Sequence, residues 1–166
     1  WNPSVLFSQK TEPRIVASTS WTAAFALAAG AENIGILAPL ELKHPPEYEL
    51  KPSDLAMVGA ADLVIYAGYE RFAKKLAETA GARTLRVTTV NDPQTIRSEV
   101  RKIAEKIMTQ DRYEKWEKEF GSLTEEIKKK VLAAYPDKRA VVHTMQKPFA
   151  QWLGFEIVGE FGPAEP

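Results

Sequence analysis

The sequence predicts an α/β protein with a parallel-sheet lobe and flanking helices, a long linking helix, and an incomplete second α/β lobe. Three observations predict it. Compact apolar runs such as Leu63-Val64-Ile65-Tyr66-Ala67 read as strands buried on both faces, which is how parallel sheets are built. These runs alternate with helical stretches, the order of βαβ units. Between 93 and 135, apolar side chains recur three and four apart with Lys and Glu opposite, the pattern of long amphipathic helices.

The elements follow in order. Residues 1–13 are polar, hold Pro3 and Pro13, and read as a leader. Arg14-Ile15-Val16-Ala17 is a short buried strand, and Ser18-Thr19-Ser20 can cap a helix over 21–29. Ser18 and Ser20 thus fall at a strand's carboxyl end. Gly30 ends that helix, and 34–40 form a second strand. From 43 to 51 a loop stiffened by Pro45 and Pro46 carries His44, Glu47, Tyr48 and Glu49. Pro52 opens a short helix with Asp54 at its positive end. After strand 63–67, Gly68 turns the chain. Tyr69-Glu70 then open a helix whose inner face is Phe72, Ala73 and Leu76. Thr84-Leu85-Arg86-Val87 is a fourth strand.

Asp92-Pro93 leads into a helix with Ile96, Val100, Ile103 and Ile107 on one face. A break is expected at 109–111, with Asp111 as cap. The stripe Tyr113, Trp116, Phe120, Leu123, Ile127 and Val131 follows. It keeps no strict heptad, so packing across a globular body is expected rather than a coiled coil. Arg139-Ala140-Val141-Val142-His143 is a strand, a short helix holds Phe149, Trp152 and Leu153, and 155–159 is a last strand. Two strands and one short helix do not close a core alone, so apolar edges after Val158 should seek a partner. The expected organisation is 1–92, an N-terminal lobe; 93–135, linking helices; and 136–166, the start of a second lobe.

Composition narrows the function. Of 166 residues, 45% are apolar and 27% charged, ordinary for a globular chain. Acidic and basic residues balance at 22 each, which argues against a nucleic-acid partner. There is no cysteine, so a metal would be held by imidazole and oxygen. That absence fits an oxidising, extracytoplasmic compartment. No apolar run approaches the roughly 20 residues of a membrane span, and the start at Trp1 suits a mature exported or trimmed chain. No Gly-rich phosphate loop, nucleophile elbow or Cys nucleophile is present, so an enzyme is not expected.

The stretch 43–70 resembles the metal-binding solute receptors of ABC importers, the TroA-like superfamily with a helical backbone. Glu49, Pro52, Ser53, Asp54, Ala61, Asp62, Leu63, Val64, Gly68 and Glu70 match that family's pattern in register. So do His143, Phe149, Ala150 and Gly154 in its third-ligand motif. The family's first ligand histidine falls on Pro46, with His44 two residues upstream, and its second falls near Thr88. The resemblance runs from about residue 14 to the end and covers the first half to two thirds of a family member.

It implies an extracytoplasmic receptor, periplasmic or anchored at the cell surface, that captures a divalent transition metal (Zn or Mn) in an inter-lobe cleft. The cargo passes to an ABC importer permease. His44, Glu47 and His143 are the expected metal ligands, with Glu49 and Glu70 behind them. A missing second-lobe segment or partner chain would complete the fold. Two other readings stay open. One is a cobalamin- or siderophore-type receptor of the same fold, its pocket lined by Trp21, Tyr48, Tyr69 and Trp152. The other is a divergent domain that binds no metal and serves interactions.

Overall fold

A computed structural model describes residues 12–162. Most of the expected leader, and the end of the chain from 163, lie outside them. The first sheet contains β1 (Arg14–Ala17), β2 (Asn33–Ile36), β3 (Leu63–Tyr66) and β4 (Thr84–Arg86). All pairings are parallel and the order is β2-β1-β3-β4. The chain therefore reverses its direction of winding between β1 and β3, and the crevice outside their carboxyl ends is where open α/β sheets take ligands.

Alternation along the strands sorts side chains to two faces. Ile15, Leu63, Ile65 and Val87 pack under α1 (Ser20–Ala28) and α4 (Pro93–Ile107). Val16, Val64 and Leu37 pack under α2 (Pro52–Ala60) and α3 (Ala73–Ala80), with Val58, Phe72 and Leu76. Both faces are covered, which is why these strands read as unbroken apolar runs.

Local chemistry sets the element ends. The α1 cap is Thr19, whose hydroxyl accepts from Thr22 N while the Thr22 hydroxyl accepts from Thr19 N. Gly30 leaves α1 at φ +89°, a conformation that favours glycine. Strand β2 stops at Ile36, short of the expected 40. Leu37 N and Ala38 N still bond to β1 and the residue after it, but Pro39 has no N–H to continue the ladder. Helix α3 starts at Ala73 and not at Tyr69-Glu70, because the Glu70 carboxylate bonds back onto the amides before it.

Helix α4 is capped by Asp92, which accepts from Gln94 N and Thr95 N, with Pro93 in the first turn. Its Val100, Ile103, Ala104 and Ile107 belong to the first sheet's core. The break falls at Met108, which is left-handed at φ 58°, and α5 (Gln110–Ala134) begins after Thr109. Asp111 lies in its first turn and is not its N-cap. Thr109 Oγ1 donates to Ala29 O at 2.6 Å, and Arg112 reaches Gly30 O, Glu12 and Glu32, so the start of α5 is pinned to the end of α1.

The 25 residues of α5 span about 37 Å. Its apolar stripe is buried only at the start. Tyr113 is 6% exposed and Trp116 stacks on Phe120 at 4.7 Å, but Leu123 is 55% exposed. A second sheet holds β5 (Arg139–His143) and β6 (Glu156–Phe161), parallel, with α6 (Lys147–Leu153) between them. A register shift follows Ala140, and Val141 and Val158 remain exposed.

Candidate functional site

The carboxyl ends of β1 and β3 are joined through Glu70. This carboxylate is 4% exposed. Its Oε1 accepts from Ser18 Oγ at 2.5 Å and Ala67 N at 2.9 Å, and its Oε2 accepts from Gly68 N at 2.6 Å. Ser18 Oγ also lies 3.2 Å from Thr22 Oγ1. Hydrogen bonds thus compensate a charge that burial would otherwise penalise. Gly68, at φ +97°, turns the chain back so that Glu70 meets the two successive amides, and the Arg86 guanidinium covers the space where a side chain would stand. Ser18 is fully buried here, whereas Ser20 is exposed.

Beyond β2 the chain forms the loop that carries the acidic and imidazole groups. Pro45–Glu47 is a 3-10 turn, closed by Glu47 N to His44 O at 3.0 Å and Tyr48 N to Pro45 O at 3.2 Å. Arg71 N donates to Pro46 O at 3.0 Å, and the Arg71 guanidinium meets Glu47 at 3.4 Å. The Tyr48 ring packs edge-on to Phe72 at 6.1 Å. Its hydroxyl donates to Asp54 Oδ2 at 2.8 Å, an atom that also accepts from Lys51 N at 2.7 Å. The adjacent Asp54 carboxylate holds the Tyr48 phenol above its ordinary pKa, with lesser contributions from burial and from the Asp54 charge.

His44 and Glu47 line one open groove with Glu41, Leu42, Lys43, Tyr48 and Glu49. His44, Glu47 and Glu49 are exposed there. His143 stands elsewhere, at the end of β5. Its Nδ1 accepts from Met145 N at 3.2 Å, and its ring lies edge-on to Phe161 at 5.5 Å. With Nδ1 accepting, the neutral ring carries its proton on Nε2. A metal at Nε2 needs the opposite tautomer, with Nδ1–H donating, so ligation there would release the Met145 amide. Among the described residues no group of three His, Asp or Glu is arranged to hold a metal ion.

The two sheets meet at a side-chain bond: Asn91 Nδ2, in the loop after β4, donates to Gln146 Oε1, in the turn after β5, at 2.8 Å. Asn91, Gln146 and Arg71 had no place in the sequence reading. Only Arg71 left a signal, as a cation one residue beyond the matched Glu70. Of the aromatics expected to line a pocket, Trp152 stacks on Phe149 under Lys128, Trp21 packs on the core, and Tyr69 is 52% exposed.

No protein-family model matches the chain, and no curated protein matches it in sequence. Solved structures match its fold. AdcAII of Streptococcus pneumoniae superposes with a TM-score of 0.69 at 18% identity, over 91% of this chain and 68% of that one. The laminin binding protein Lmb of Streptococcus agalactiae, a bifunctional protein with adhesin and metal transporting activity, gives 0.63 at 20% identity, over 90% and 68%. The Mn-bound periplasmic metal binding protein from Candidatus Liberibacter asiaticus gives 0.65 at 13% identity, over 92% and 70%. The chain has the α/β fold of these proteins and spans about two thirds of their length.

Proposed function

We propose that the chain is the ligand-capturing part of an extracytoplasmic solute-binding receptor, with a divalent transition metal, Zn or Mn, as its cargo. The observation that carries this is the Asn91–Gln146 bond. It ties the loop after β4 to the turn that follows His143, which supports a cleft between the carboxyl ends of the two sheets. His44 and Glu47 on the loop after β2, with His143 at the end of β5, are the ligands this reading assigns to that cleft. Imidazole and carboxylate suit Zn or Mn, and water or a further carboxylate would complete the coordination. An ABC importer permease would be the acceptor of the cargo. Fold neighbours that bind or transport metal support the reading. No described helix is long and apolar enough to cross a membrane.

The test is calorimetry with Zn and Mn on chelator-stripped protein, beside His44→Ala, Glu47→Gln and His143→Ala. The reading expects saturable binding that each substitution weakens at least tenfold. Absence of binding to either ion would overturn it.

A second reading keeps the fold and changes the solute to a cobalamin- or siderophore-type chelate. The His143 tautomer favours it, because Nε2–H is a donor suited to an acceptor on an organic ligand. Thr88 is exposed, near the position at which the resembled family carries its second histidine. A coloured chelate that binds the parent, and binds less after His143→Ala and Tyr69→Ala, would establish this reading over the first.

A further inference from the structure

We propose that Glu70 is a positioning residue for the loop that carries His44 and Glu47. This rests on reading that loop as part of the binding site. Three consecutive residues make the link. Glu70 faces the sheet, where its carboxylate gathers Ser18 Oγ, Ala67 N and Gly68 N. Arg71 faces the loop backbone, with its N–H on Pro46 O and its guanidinium on Glu47. Phe72 faces the loop's aromatic ring at Tyr48 and is itself buried. A single turn therefore fastens the loop at three successive points while its first residue is clamped into the switch-point crevice.

The carboxylate has to be on the turn for this to work. Two successive amides, Ala67 N and Gly68 N, both donate to the Glu70 carboxylate, and the left-handed φ at Gly68 turns the chain back so that Glu70 can reach them; amides gathered in this way favour an anion. Glu70 supplies it from two residues on, which closes the turn on itself and sets the direction in which Arg71 N–H leaves. Ser18, the residue after β1, adds a bond, so the turn is registered to the end of the neighbouring strand as well as to its own. Without the carboxylate the turn keeps its covalent path but loses what orients it. The backbone bonds that Leu42, Glu47 and Tyr48 donate are local, each to a carbonyl three residues back, and do not place the loop relative to the sheet. Arg71 N to Pro46 O, 25 residues apart, does.

Backbone amide exchange on the full chain tests this, with Glu70→Ala and the isosteric Glu70→Gln beside the parent. Val16 and Val64, buried in β1 and β3, report the core. The expected result is exchange at Arg71, Glu47 and Tyr48 at least tenfold faster in Glu70→Ala and intermediate in Glu70→Gln, with core protection unchanged. Zn affinity should fall in the same order. Loop exchange equal to the parent's in both variants would overturn the proposal. So would loop and core loosening by the same factor, since Glu70 would then serve only general stability. If Glu70→Ala does not fold, Glu70→Gln decides by the same criteria. A parent that binds no Zn defeats the metal reading alone, because the exchange comparison needs no ligand.

Discussion

Removing the Asp54 carboxylate should loosen the groove loop by an amount that can be worked from its contacts. One oxygen, Oδ2, accepts from both Tyr48 O–H at 2.8 Å and Lys51 N–H at 2.7 Å, and Asp54 is 8% exposed. Hydrogen bonds to a charged acceptor contribute about 1.5–3 kcal/mol each. Lys51 is exposed, so water replaces part of its bond, and Asp54→Ala should cost about 2–4 kcal/mol. Tyr48 is half-buried, so water offsets part of its bond as well, and Tyr48→Phe, which removes only the phenol's bond, should cost about 1 kcal/mol. Because both act through one atom, the double variant should show a coupling of about 1 kcal/mol in urea unfolding at neutral pH. The phenol adds a pH signature. Its pKa is raised in the folded protein, so its stabilisation is complete below the unfolded phenol value of about 10 and is lost as pH rises through the folded value. The difference between parent and Tyr48→Phe should therefore shrink in alkali. Strict additivity of the two substitutions, or a difference that grows above that pH, would refute the shared-oxygen account.

Two further outcomes follow from contacts away from the groove. Gly30→Ala places a Cβ 2.5 Å from Arg112 Cβ at a φ of +89°, so it meets backbone strain and displaces the side chain that joins α5 to α1. The expected cost is about 2–4 kcal/mol, read as a thermal midpoint lowered by roughly 5–12 °C. A midpoint within a degree or so of the parent would contradict the packing. Asp62 accepts from Arg14 N at 2.7 Å, and that bond, with the Arg14 and Arg83 charges, holds its carboxyl below the usual range. A depressed carboxyl stabilises the fold above its unfolded pKa and ceases to as pH falls through the folded one. Asp62→Asn should lower the urea midpoint at neutral pH, with the deficit vanishing in acid; a deficit that persists in acid would show another cause.

The sequence made β1 and β3 legible because their side chains are buried on both faces. Ile15 and Val16, or Val64 and Ile65, need no alternation to be recognised. Strand β2 was overextended for a related reason. Leu37 and Ala38 are as buried as strand residues and still bond to the neighbouring strand, so their apolar character reports burial and not conformation. The α5 stripe shows the limit of periodicity most clearly. Tyr113 and Leu123 belong to one face, yet one is 6% exposed and the other 55%. Spacing identifies an apolar face, but what covers it depends on where other elements end.

The candidate site divides along the same line, between chemistry that is local and geometry that is not. His44, Glu47 and His143 are proposed as ligands from residue type, with only His143 also in the family's register. The role of Glu70 could not be read in this way, because its partner Ser18 lies 52 positions away and only the sheet order brings them together. Nor does a count of carboxylates between 43 and 70 reveal which ones face outward. Asp54 and Glu70 are buried and bonded to backbone amides; Glu47 and Glu49 are exposed. The acids that look alike in sequence therefore have opposite tasks, two holding the loop and two presenting negative charge from it. Substitutions at the first pair should change where the loop sits. A substitution at Glu49 should change what the loop attracts and leave its position alone, whereas one at Glu47 also releases the Arg71 guanidinium.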